Sequence, residues 1–252
     1  MALAVAAVDM STPHRIMHPQ HAIRRHTAAL IAITVVLTGA LAVGRAEADT
    51  KGRPKLVVVV VVDQMRADYL VRFAGHFTGG FRRLATQGAV FTDAHQDHAA
   101  TVTAVGHATL ATGLFPRHHG IAGNDWYDRA IRSKVPAVGD PSQRILGHAR
   151  LAGRSPRNLT RTALGDWLKA VSPKSKVYSV ALKDRSAILM GGQRPDGAFW
   201  YESGSFVTST YYATAAPAWV DAFNGSGHVD EHFQEGWRKL LPEETYFASS
   251  ED

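Results

Sequence analysis

The sequence predicts an α/β fold: a layered sandwich around a mainly parallel sheet. Two observations carry that expectation. In "KLVVVVVVDQ", Lys55 to Gln64, six consecutive valines are closed by an acid. An unbroken β-branched run, rather than an alternating one, marks a strand buried on both faces, as in the middle of a parallel sheet. After it, strand-like and helix-like patterns follow one another in the order β-α-β-α-β, which suits a sheet covered by helices.

The elements can be justified in chain order. Ahead of the valine run, Arg24 and Arg25 precede an apolar stretch from Ala28 to Val43, and Ala46-Glu47-Ala48 follows. That order predicts a secretory signal over residues 1–48, cleaved before Asp49. The apolar stretch is 16 residues long, short of the roughly 20 that span a bilayer. A cleaved signal is therefore favoured over a lasting membrane anchor, and export to the periplasm or beyond is expected. Past the valine strand, "GGFRRLATQG" reads as a short helix stopped by Gly88, and "AVFTDA" as a strand. A helix is predicted from about Ala104 to Thr112, ending at Gly113. His118 to Asp128 reads as a turn-rich connection around a short extended segment, and residues 129–156 as loop. "NLTRTALGDWLKAV" places Leu159, Ala163, Leu164, Trp167 and Leu168 on one helical face, with Asn158 as its cap. Lys176 to Leu182 reads as a strand. "GAFWYESGSFVTSTYY" reads as a hairpin, and "PAWVDAFN" and "DEHFQEGWRKLL" as short amphipathic helices.

Composition narrows the chemistry. The 252 residues are 45% hydrophobic and 20% charged, an ordinary globular balance. Without residues 1–48 the chain keeps 24 basic and 20 acidic residues, a net +4. So mild an excess suits a small anionic substrate. No dense Lys/Arg tract with interleaved aromatics points to nucleic acid. Cysteine is absent, which excludes disulfides and thiolate chemistry. A metal would have to use His, carboxylate or hydroxyl ligands.

The chemistry concentrates around "HAATVTAVGHATLATG", His98 to Gly113. Thr103 stands just before the expected helix. Its hydroxyl could cap the helix, or it could act as a nucleophile at a positive helix terminus facing an anion. A threonine hydroxyl needs a base or a metal to attack at neutral pH. Asp63 is a strand-end carboxylate that could hold such a metal or simply cap a turn. Asn124 offers a neutral donor to a developing oxyanion. Lys183 and Arg185, two apart in an extended segment, would point the same way and could clamp a phosphoryl group or stand in a solvated turn.

Taken together, "VVVDQMRADYL", "TVTAVGHATLATGLFPRHHGIAGNDWYD" and "ALKDRSAI" resemble the alkaline phosphatase superfamily. Within it they resemble the type I phosphodiesterase/nucleotide pyrophosphatase branch, and most of all the phosphate-irrepressible alkaline phosphatases. The resemblance covers nearly all of residues 55–252 and implies an alkaline-phosphatase-like fold. It implies that Asp63 is a zinc ligand, that Thr103 is the phosphorylated nucleophile and touches zinc, and that Asn124 bonds a phosphoryl oxygen. It implies that Lys183 and Arg185 are the basic pair of the monoesterase members. A complete member would hold two zinc ions and act on a small phosphate ester. The histidine clusters His95 to His98 and His228 to His232 match no ligand position of the family. His107 is expected to pack and hydrogen-bond behind Thr103, and His118 and His119 to shape the turn before Gly120.

The resemblance also implies ligands that this sequence lacks: an Asp-x-x-x-His pair, an Asp-His pair and a late histidine. Residues 49–252 are therefore expected to be the N-terminal part of such a catalytic domain, incomplete at the C-terminus and inactive alone. The alternatives are a phosphodiesterase of the same branch, or a non-catalytic remnant.

Overall fold

A computed structural model describes residues 3–6, 54–234, 236 and 238–246. Apart from residues 3–6, the expected signal segment lies outside them. The described residues divide into two compact units. One contains Leu70–Thr92 with the described residues from Ala4 to Val60; the other contains Leu3, Val61–Tyr69 and the described residues from Asp93 onward.

In the first unit, a helix α2 spans Gly80–Gln87 and stops at Gly88, whose N–H bonds the carbonyl of Leu84. Phe77 and Phe81 stack with their centroids 5.1 Å apart. The preceding α1, Tyr69–Arg72, is a single turn. "AVFTDA" forms no strand. Val90 and Phe91 are exposed, and β propensity without a partner strand does not make a ladder.

Strand β1 (Leu3–Ala6) pairs with β2 (Val59–Val62). The strand closed by Asp63 is thus present, but it is not buried on both faces. Val57, Val58 and Val60 each expose half or more of their surface, because no further strand or helix covers them among the described residues.

The second unit holds the core. Helix α3 (Thr103–Thr112) is capped by Gly113 at φ 64, a left-handed conformation that glycine adopts without steric cost. A short turn α4 (Pro116–His119) leads through β3 (Asp125–Asp128) into β4 (Ser133–Pro136), an antiparallel pair. Next come β5 (Gly139–Ile145) and β6 (His148–Arg154), also antiparallel, with shifts of register. Residues 129–156 are therefore largely strand, not loop. "GDPSQRI" and "HARLAGR" have no alternation to announce this, and tertiary bonds supply what the pattern lacks. Leu146 N–H bonds the carbonyl of Thr208, and Thr210 N–H bonds that of Arg144. Gly153 is required by close approach, since a Cβ there would lie 2.0 Å from the carbonyl oxygen of Gln143.

Helix α5 spans only Leu164–Val171. Leu159 and Ala163 are buried, whereas Leu164, Trp167 and Leu168 are exposed, so the five do not share one buried helical face. Asn158 does not cap the helix; its amide donates to the carbonyls of Pro136 and Ala137. Asp166 does the work instead, accepting the N–H groups of Ala163, Gln193 and Arg194. Strand β7 (Tyr178–Ala181) runs into α6 (Asp184–Gly191) and pairs in parallel with β8 (Gly197–Glu202). Strand β9 (Ser205–Val207) closes the expected hairpin. The α/β class holds, with its parallel character carried by β7 and β8. Helix α7 (Ala218–Asn224) follows as read; α8 spans His228–Gln234, so it starts before Asp230 and the described residues among 236–241 are not helical.

Helix α3 packs on α6. Ala104, Val105, Ala108, Ala187, Ile188 and Leu189 are essentially inaccessible and share one cluster with Trp200. Small residues on both helices permit close approach, which fixes the starts of the two helices relative to each other.

Asp196 ties β7 to α5, accepting Val177 N–H and the ammonium groups of Lys169 and Lys176. Burial acts to raise its pKa, but the Val177 N–H and the two lysines outweigh that and hold it at about 2. Because the folded value is depressed, the stabilisation is complete above the unfolded value of roughly 3.9 and is lost as pH falls toward 2. Asp196→Asn is expected to lower the urea midpoint at pH 7 and to flatten the loss of stability between about pH 4 and pH 2. An unchanged acid limb would contradict the assignment.

Candidate active site

The site assembles where β2 ends and where α3 and α6 begin. Asp63 immediately follows β2, and the next residue, Gln64, takes a left-handed φ of 62. Gln64 N–H bonds Asp63 Oδ1 at 3.1 Å, so the turn fixes one carboxylate oxygen. The other, Oδ2, accepts the hydroxyl of Thr103 at 2.8 Å.

That bond sets aside the capping reading of Thr103. The helix starts at Thr103 itself, with Val102 at the N-cap position and no side-chain cap from that residue. The Thr103 hydroxyl donates to a carboxylate forty residues away, not to a helix amide. The cap comes from Asn124, whose Oδ1 accepts Ala104 N–H at 2.9 Å. With its oxygen so engaged, the Asn124 amide turns its Nδ2 donors the other way. His107, one turn along, donates Nδ1–H to the Thr103 carbonyl at 2.7 Å; a carbonyl can only accept, so the proton is on Nδ1. His107 is almost fully buried, and burial lowers its pKa despite the Thr103 carbonyl and Asp63, which favour the cation.

Lys183 and Arg185 do not lie in an extended segment. Lys183 is the N-cap residue of α6 and Arg185 is in its first turn, so alternation along a strand does not relate them. Lys183 Nζ reaches Asp63 Oδ2 at 3.6 Å. Arg185 places Nη1 3.6 Å from Asp184 Oδ1, and its Nε is buried with no hydrogen-bond partner among the described residues. Asp63, Thr103 and Lys183 thus meet directly, with Asn124 one residue from Thr103. Arg185 joins the same field, since its charge and those of Asp63 and Lys183 all act on His107.

Burial acts to raise the pKa of Asp63. The Thr103 hydroxyl, His107, Lys183 and Gln64 N–H outweigh it and hold the carboxyl below the ordinary aspartate value. The site is therefore an anionic carboxylate in contact with a hydroxyl and an ammonium. Such a carboxylate is a weak base, so it orients the hydroxyl more than it deprotonates it.

Asp63 and the Thr103 hydroxyl are suitable oxygen donors for a divalent cation. A catalytic zinc site needs about three protein ligands, and the described residues contain no group of three or more His, Cys, Asp or Glu that could hold a metal. These two donors do not suffice alone. The other histidines do not complete the set. His95 pairs with Asp93, and both ring nitrogens of His98 are buried without a partner among the described residues. His228 pairs with Glu231, and the His232 side chain lies outside the described residues. His119 accepts Ile121 N–H on Nδ1 and bonds Thr109 through Nε2. Burial first, and then His98 and His118, push it down to about 4, so it is a neutral structural residue at the turn.

Two contributors were not legible in the sequence. Asp184 and Arg154 form a largely buried pair at 2.6 Å beside the basic residues, and nothing in the spacing of Arg154 foreshadowed it.

A family model described as Type I phosphodiesterase / nucleotide pyrophosphatase matches residues 57–247. The chain is 43% identical over 224 residues to alkaline phosphatase PafA of Elizabethkingia meningoseptica, covering 86% of this chain and 41% of that protein. It is 42% identical over 208 residues to alkaline phosphatase PhoV of Synechococcus elongatus, covering 81% and 38%. The crystal structure of wild-type alkaline phosphatase PafA superposes with a TM-score of 0.73 at 43% identity, covering 75% of this chain and 38% of that one. The chain thus spans about two fifths of the length of these relatives.

Removing the Thr103 hydroxyl removes the strongest of the contacts that lower Asp63. In Thr103→Val the Asp63 carboxyl is expected to titrate at higher pH than in the parent, followed by side-chain carboxyl 13C resonances. An unmoved titration would separate the two residues.

Proposed function

The chain belongs to the Type I phosphodiesterase / nucleotide pyrophosphatase family, and from this we propose that it supplies the nucleophile and phosphate clamp of an exported, zinc-dependent phosphomonoesterase. The observation that carries the reading is the 2.8 Å bond from the Thr103 hydroxyl to Asp63, with Lys183 on the same carboxylate oxygen. Two close relatives are named alkaline phosphatases, and the resemblance in the motifs supports the same roles.

In this reading, Asp63 holds the Thr103 hydroxyl in one rotamer at the start of a buried helix. The Nδ2 donors of Asn124 meet a phosphoryl oxygen, and Lys183 and Arg185 oppose its negative charge. A monoester dianion carries one more charge than a diester, so a second cation favours the monoester. Bound zinc would supply positive charge to lower the pKa of the attacking hydroxyl. Asp63 and Thr103 offer two of its donors, and the rest must come from residues other than those described. Among the described residues no helix is long and apolar enough to cross a membrane. The substrate is a small phosphate ester, not nucleic acid.

Calorimetry with p-nitrophenyl phosphate and bis(p-nitrophenyl) phosphate at pH 8 tests the reading. The monoester is expected to bind the 252-residue chain about tenfold more tightly, the share of one charge-assisted contact. Lys183→Ala and Arg185→Ala should erase the difference. With zinc added and no further ligands supplied, the chain should turn over neither ester. Tighter binding of the diester would favour the phosphodiesterase reading, and turnover lost in Thr103→Ala would show that the chain completes the metal site by itself.

A further inference from the structure

A carboxylate between two phosphate-binding cations is electrostatically costly, because it weakens the field that attracts the anion. Asp184 nonetheless stands between Lys183 and Arg185 in sequence. Its side chain is mostly buried and bridges two elements. Oδ2 accepts Arg154 Nε at 2.6 Å, and Arg154, the last residue of β6, is itself held by Nη1 bonds to the carbonyls of Ala152 and Gly153 at 2.8 and 3.2 Å. Oδ1 accepts the backbone N–H of Arg185 at 2.7 Å and lies 3.6 Å from its Nη1.

The consequence is geometric. The guanidinium presents its donors in a rigid planar fork. With the Nη1 edge of Arg185 turned to Asp184, and Asp184 tied to the β5–β6 hairpin, the Nε donor remains buried without a protein partner. Buried guanidinium donors are seldom left unpaired, and this one belongs to a residue read above as a phosphate ligand. We propose that Asp184 and Arg154 are positioning residues for that clamp: Arg154 neutralises and anchors Asp184, and Asp184 sets the plane of the Arg185 guanidinium so that Nε–H is free for a phosphoryl oxygen. The role assigned to the ligand rests on the phosphomonoesterase reading; the alignment of Arg185 does not.

Arginine Nε–H resonances of the full chain separate the two. The Arg185 signal, identified by its loss in Arg185→Lys, is expected to be protected from solvent exchange. Protection should fall at least about tenfold in Asp184→Asn and in Arg154→Lys, while the backbone spectrum is retained, since each removes one charge-assisted bond of the chain of contacts. Inorganic phosphate should shift the Arg185 signal in the parent and bind either variant about tenfold more weakly. Charge alone predicts the opposite sign for Asp184→Asn, because deleting a negative charge would tighten phosphate. Unchanged protection together with tighter phosphate in Asp184→Asn overturns the proposal. If phosphate leaves the parent Arg185 signal unmoved, the clamp reading fails, and the protection comparison still decides the positioning. Should Asp184→Asn not fold by circular dichroism, Arg154→Lys carries the same comparison, since it keeps the charge but loses the fork.

Discussion

The site depends on one hydrogen bond, from the Thr103 hydroxyl to Asp63. It joins the end of a strand to the start of a helix across forty residues of chain, and it engages the hydroxyl with a carboxylate. A threonine at a helix start has a standing alternative, to satisfy the free amides of the first turn. Here Asn124 takes over that task from outside the helix, and the hydroxyl is released to face a carboxylate. The division of labour is a packing result as much as a chemical one. The first turns of helix α3 are buried, with Ala104, Val105 and Ala108 at zero exposure.

The charges around that bond form a graded series. Asp63 is held anionic by a hydroxyl, a backbone amide and a nearby ammonium, and Asp184 is paired with Arg154. Cations and anions alternate from Lys183 to Arg185, with Lys183 beside Asp63 and Arg185 beside Asp184. Preorganised charge of this kind stabilises an incoming phosphoryl group without reorganisation at the moment of binding. What these residues lack is a full metal-ligand set. The chain spans about two fifths of the length of its alkaline phosphatase relatives.

Asp63, Thr103 and Asn124 were candidates in the sequence because each sat at a punctuated place: an acid closing a valine run, a threonine opening a helix, an asparagine after a glycine. Their meeting in space was legible only through the family resemblance. The relation of Lys183 to Arg185 was misread, since a local spacing of two suggests a strand and the chain turns there into a helix. The hairpin from Gly139 to Arg154 was invisible because its residues are polar, glycine-containing and out of register, and bonds to residues 208–210 hold it. For the same reason Arg154 could not have been singled out. The valine run was overread in the other direction: β-branched residues announce a strand, but only covering elements can bury it, and Val57, Val58 and Val60 stay exposed.

The central claim, that Asp63 and Thr103 form one unit, is tested most directly by a double-mutant cycle on folding stability with Asp63→Ala, Thr103→Val and the pair, measured by urea unfolding at pH 7. A hydrogen bond to a carboxylate predicts a coupling energy of about 1.5 kcal/mol or more. Losses that add to within about 0.3 kcal/mol would mean that the two side chains do not interact, and the site built on them would have no foundation.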